Sequence, residues 1–121
     1  MVNTYKDFTV WQKSIQLVEE VYLITKQFPK DELFGITNQM RRAVVSIPSN
    51  IAEGFARKSI KERNQFYSIA FGSAMELETQ LIISKRLDFI PEDKFKKAES
   101  IIDEVLRMLN RLCLNTKSSS C

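Results

Sequence analysis

Apolar residues recur every three or four positions through most of the chain, and that spacing predicts four helices. In the first, from about Phe8 to Phe28, the residues Phe8, Trp11, Ile15, Val18, Tyr22 and Thr25 mark one face. A second stripe of Leu17, Val21, Ile24 and Phe28 runs beside it. A single bundle requires one stripe, so the second suggests contact with another subunit, with a wide core face as the plainer alternative. Phe28-Pro29 ends the helix, because the residue before a proline avoids helical backbone angles. A loop through Asp31, Glu32 and Leu33 follows, with Phe34-Gly35 as its stop. The second helix spans roughly Thr37 to Ala52, with a kink expected at Pro48 and a terminator at Gly54.

Ser59 with Glu62 three residues on forms a capping box that opens the third helix. Phe66, Ala70, Ser73, Leu77, Leu81 and Ser84 form its inner face, where the small residues at 70, 73 and 84 let a neighbouring helix approach closely. Leu87 to Ile90 makes the next turn, and Pro91 suits the first position of the fourth helix. There Phe95, Ala98, Ile102, Val105, Leu109 and Leu112 alternate as in a bundle seam. Short connections favour antiparallel neighbours. The expected fold is therefore an all-α, up-down-up-down four-helix bundle over residues 1–114, followed by a disordered polar tail at 115–121.

Composition narrows the chemistry. The 121 residues fit one domain, and three glycines and three prolines are too few for the turns of an all-β fold. There is no histidine, which removes the commonest general base near neutral pH and the commonest transition-metal ligand. The Glu-x-x-His sites of di-iron bundles are excluded with it. Cys113, in an apolar helical pattern, and Cys121, the last residue, read as a buried and a tail thiol. Eighteen basic residues against fifteen acidic ones leave a charge of +3, which permits nucleic-acid contact without announcing it. No apolar run approaches the roughly 18 residues of a membrane span, so a cytoplasmic protein is expected.

The segment from Arg41 to Gly54, RRAVVSIPSNIAEG, carries the most information. At helical spacing Gln39, Arg42, Ser46, Asn50, Glu53 and Arg57 form one polar stripe, while Ile36, Met40, Val44, Ile47 and Ile51 form an apolar one. Two readings compete. In the first, Arg42 and Glu53 pair with Glu76 or Glu78 of the third helix in a structural polar network, and Ser46 and Asn50 satisfy the carbonyl freed by Pro48. In the second, Arg41, Arg42 and Arg57 point outward as an anion site.

The chain resembles the bacterial four-helix-bundle family encoded in intervening sequences of 23S ribosomal RNA genes. The matching residues are Phe8 with Val10-Trp11-Gln12-Lys13, Phe28-Pro29, Glu32 with Phe34-Gly35, Gln39 with Arg41-Arg42, and the block Ser46 to Gly54. They continue with Arg57, Ser59, Glu62, Phe66, Ala70, Gly72-Ser73, Glu76-Leu77-Glu78 and Gln80-Leu81. That family is similar to the accessory protein of diversity-generating retroelements, which binds a reverse transcriptase. The resemblance implies a ring-like homopentamer and an association with nucleic acid or ribonucleoprotein.

Three functional classes then stand side by side. As an oligomeric RNA- or DNA-binding scaffold, the chain would use Arg41, Arg57, Lys58, Lys61 and Arg63, with Lys13, Arg42, Lys85 and Arg86 as further contacts. The densest cluster, Arg57 to Arg63, surrounds the connection between the second and third helices. As a protein-interaction module, it would dock a partner such as a polymerase or ribosome-associated factor through the second stripe of the first helix and Tyr67 with Phe71. As an enzyme, it would have to use Glu53, Glu76 and Glu78 as a carboxylate cluster. Without a histidine, a glycine-rich phosphate loop or a nucleophile beside a base, the sequence favours a non-catalytic scaffold with no cofactor.

Overall fold

The computed structural model describes residues 4–115, the side chains of 114 and 115 excepted. It contains four long helices: α1 (Thr9–Thr25), α2 (Asn38–Ala56), α3 (Ile60–Arg86) and α4 (Lys96–Asn115). No strand occurs among the described residues. A short turn at Tyr5–Asp7 leads into α1, turns at Lys30–Glu32 and Leu33–Thr37 link α1 to α2, and Glu92–Phe95 leads into α4. Each helix packs against the next, and α4 returns to pack against α1. One apolar core lies between them, built from all four.

The stripe on α1 that suggested a second subunit is the core face. Leu17 and Val21 are fully buried, and Ile24 and Phe28 nearly so. The other stripe lies on a flank: Phe8, Trp11 and Val18 are half-buried against the core, and Tyr22 is exposed. With α2 on one side and α4 on the other, α1 needs a face wide enough to cover both, so both stripes are used. Tyr67, expected on a partner surface, is 2% exposed and belongs to the interior, while Phe71 packs half-buried against it.

Two boundary expectations are overturned. α2 contains Pro48, as expected, but continues through Gly54 to Ala56. A Cβ on Gly54 would lie 2.5 Å from Tyr67 Cε1 and 3.2 Å from the Arg63 carbonyl oxygen, so this position holds a glycine because α3 approaches too closely for any side chain. Pro91 does not open the fourth helix itself; it caps the short Glu92–Phe95 turn, and α4 begins at Lys96. Ser59 caps α3 as expected: the Glu62 amide donates to Ser59 Oγ at 3.1 Å, while the Glu62 carboxylate accepts from the Ser59 hydroxyl at 3.0 Å and not from the Ser59 amide of a full capping box.

Phe95, just before α4, and Ala98, Ile102, Val105 and Leu109 on it are buried as their spacing predicts. Asn115 closes this helix and does not open a tail. The rest of the tail, residues 116–121, lies outside the described residues. Cys113 is fully buried, as its apolar setting predicts, and Cys121 lies outside the described residues.

The Gly54 contact decides the sign of a simple substitution. In an unhindered helix interior, Gly→Ala stabilises by up to about 1 kcal/mol. Here the added methyl meets a buried ring, and we expect Gly54→Ala to destabilise by about 1–3 kcal/mol in urea unfolding. A neutral or stabilising result would show that α2 and α3 can separate without cost.

Burial also pushes the Tyr67 phenol above its ordinary pKa of 10.0, only partly opposed by nearby Arg63. The folded protein therefore keeps this proton where the unfolded chain releases it, and stability falls as pH rises past that value. The stability lost between about pH 8 and 11 should be smaller in Tyr67→Phe than in the wild type, measured by urea unfolding at each pH. Equal losses would exclude this phenol as a source of alkaline sensitivity.

Candidate functional site

The polar stripe of α2 faces α3, and its middle is bonded across the helices. Ser73 Oγ of α3 donates to Ser46 Oγ at 2.9 Å. Asn50 Nδ2 donates to the same oxygen at 2.9 Å and to the Ser46 carbonyl at 2.8 Å. Pro48 deprives the Val44 carbonyl of its helical donor, so Asn50 bonds a different carbonyl from the one it was expected to satisfy. Ser73 was expected only as a small residue allowing close approach. Its hydroxyl is legible as a partner once α2 is seen to place Ser46 opposite it.

Beside this bridge, Asn38, Gln39, Arg42, Ala43, Ser46, Ser73 and Glu76 line a groove of about 330 Å³ between α2 and α3. The structure thus gathers Gln39, Arg42, Ser46 and Glu76 from the expected network. It does not join them into one. Gln39 and Arg42 are exposed and make no hydrogen bond or ion pair among the described residues, and Glu76 accepts only a 3.4 Å bond from Gln80 Nε2 on its own helix. Glu53 turns instead to Arg57, the residue just after α2, at 2.5 Å. Glu78 is half-buried on α3 and joins neither group. Long charged side chains with access to water gain little by pairing, so the short hydroxyl and amide groups form the network and the long ones do not.

The candidate nucleic-acid contacts divide in the same way. Arg41 Nε donates to Thr25 Oγ1 at 3.0 Å, and its guanidinium lies 4.8 Å from the centre of the Tyr22 ring, tying α2 to the end of α1. Arg57 pairs with Glu53, stacks 4.8 Å from the Phe66 ring, and accepts a 2.7 Å bond at its carbonyl from Arg63 Nε. Arg57 and Arg63 thereby fix the backbone of the α2–α3 connection. Lys58 and Lys61 beside them are exposed, with no ion pair among the described residues.

Further along, Lys13 pairs with Glu104 at 3.4 Å. Lys85 pairs with Glu99 at 3.0 Å and Glu92 at 3.5 Å. The bond that Lys85 donates to Glu99, with the charges of both acids, holds its ammonium above its ordinary pKa of 10.5. The benefit of that pairing is complete below this value and is lost as pH rises beyond it. Arg86, like Arg42, has no ion pair among the described residues.

The family model for the 23S rRNA-intervening sequence protein matches residues 6–111. Among solved structures, the chain is similar to a crystal structure of a protein of unknown function from the S23 ribosomal protein family of Bacteroides thetaiotaomicron. The TM-score is 0.79 at 22% identity, covering 86% of this chain and 97% of that one. At this identity the likeness is one of fold. No curated protein matches the chain.

Thermal or urea unfolding separates the bonded residues from the unbonded ones. Ser46→Ala and Ser73→Ala should each cost about 1 kcal/mol, and the double variant less than their sum, because both remove one shared bond. Arg42→Ala should stay within about 0.5 kcal/mol of the wild type. A clear loss with Arg42→Ala would restore that residue to a structural network.

Proposed function

Given that the chain belongs to the 23S rRNA-intervening sequence protein family, we propose that it is a non-catalytic cytoplasmic scaffold that assembles with copies of itself and binds nucleic acid through basic patches. The subunit is an antiparallel, up-down-up-down four-helix bundle, and the ring holds five subunits as the family resemblance implies.

Cross-helix pairs support this topology. Lys13 meets Glu104 whereas Glu20 meets Lys97, and Met40 meets Ser84 whereas Ser46 meets Ser73, so one number falls as the other rises. The scattered placement of Glu53, Glu76 and Glu78 supports a non-catalytic role, since Glu53 is bound to Arg57 and the three share no site. No described helix is long and apolar enough to cross a membrane, which agrees with a cytoplasmic scaffold.

The observation that carries nucleic-acid binding is the α2–α3 connection. It presents the ammonium groups of Lys58 and Lys61 without an internal partner, on a backbone held by Arg57 and Arg63. A closed assembly repeats the pair around its axis, so contacts that are weak one at a time act together. Such contacts go to phosphates and carry little sequence information.

The test is Lys58→Glu with Lys61→Glu, assayed on a short RNA duplex and a short DNA duplex across a salt series. Affinity at low salt should fall at least about tenfold, with a shallower salt dependence and an unchanged melting temperature. Unaltered affinity would remove the connection from the interface. A wild-type protein that binds neither duplex and carries no excess absorbance at 260 nm would overturn the nucleic-acid reading. It would leave a protein partner, such as a polymerase or ribosome-associated factor, in its place.

A further inference from the structure

Large apolar side chains exposed on this subunit are unevenly placed. Among the described residues α4 has none. They gather instead at the end of α1, on the connector between α1 and α2, on α2 at Val45, and along the outer face of α3. Phe34 of the connector stands out at 93% exposure. The next residue, Gly35, leaves the helical region (φ −109°, ψ −117°), and the turn it makes carries Phe34 at its outer edge.

A receptacle for this ring lies at the same end of the bundle. The contact of Ser84 with Met40 at 3.6 Å sets the last turns of α3 level with the first turn of α2. There Ile82, Lys85, Arg86, Glu92 and Glu99 line a hollow of about 380 Å³, with Ile82 at 49% exposure supplying its apolar surface. Lys85 is held by Glu92 and Glu99, which leaves Arg86 as the cation of this hollow with no ion pair among the described residues. The knob carries the opposite charge. Asp31, three residues before Phe34, is exposed and likewise has no ion pair among the described residues.

We propose that Phe34 of one subunit inserts into the Ile82–Arg86 hollow of a second copy, with Asp31 of the first facing Arg86 of the second. This rests on the self-assembly reading and names its contact. A second copy is the fitting occupant because one chain carries both halves at one height along the helices, with Asp31 beside the knob and Arg86 in the hollow as the charges of opposite sign that would meet. The two halves are different surfaces, so each subunit offers one of each. Rotation about an axis parallel to the helices can then close a ring with no shift along that axis.

Size-exclusion light scattering on paired variants tests the proposal. Phe34→Asp and Ile82→Asp should each reduce the wild-type assembly to the mass of one chain, with helical circular dichroism retained. Mixed in equal amounts, they should form a two-chain species and nothing larger, because only the hollow of the first and the knob of the second remain intact. Phe34→Ala, at a side chain with almost no internal contacts, should weaken assembly in the same direction. An assembly unchanged by Phe34→Asp would overturn the contact while leaving self-assembly standing, as would a mixture that stays single-chain. A wild-type protein that is single-chain at high concentration would overturn both.

Discussion

Gly54 of α2 lies against the ring of Tyr67 and the carbonyl of Arg63, and the geometry of the α2–α3 pair follows from that approach. Without a side chain at 54 the two helices close up near their connection, which is only Arg57 to Ser59 long. The closeness brings the Ser46 and Ser73 hydroxyl oxygens within 2.9 Å of each other further along, where even these short groups reach across. Past that bridge the facing side chains become longer and more polar, and the groove around Arg42 opens. Burial of Tyr67, its raised pKa and the hydroxyl bridge are thus linked through one missing Cβ.

The arginines and lysines divide the surface between them. Arg41, Arg57 and Arg63 each use the planar guanidinium for bonds in a defined direction, to a hydroxyl, a carboxylate or a carbonyl, and two of them also lie over aromatic rings. They hold the ends of helices. Lys58 and Lys61, with compact and strongly hydrated charges, stay in water and leave their charge available to a ligand. The cluster that reads in the sequence as four similar cations is in space two structural side chains and two exposed ones.

The helices and most of the core were legible because apolar spacing and the Ser59–Glu62 cap are local signals. The roles of Gly54 and Tyr67 were not, since their meaning depends on which residue of another helix stands opposite. On α1 the two stripes were both visible, but periodicity alone does not say which one points inward when a helix has two neighbours. The polar stripe of α2 was found correctly as a stripe. Its division into a bonded centre at Ser46 and Asn50 and unbonded positions at Gln39 and Arg42 required the position of Ser73. Phe34 was legible only as part of the Phe34-Gly35 stop of the loop, because the direction in which its ring points depends on the turn at Gly35.

The ring contact between Phe8 and Phe55, 5.3 Å between centroids, places the start of α1 beside the end of α2. Phe8, Thr9 and Val10 also share a hollow with Met108, Arg111 and Leu112, so the last turns of α4 arrive at the same pole. The start of α1 and the last turns of α4 therefore share the pole of the bundle from which Lys58 and Lys61 project, and the two faces offered to a partner, one charged and one carrying the Phe34 ring, stand at opposite ends of the helices.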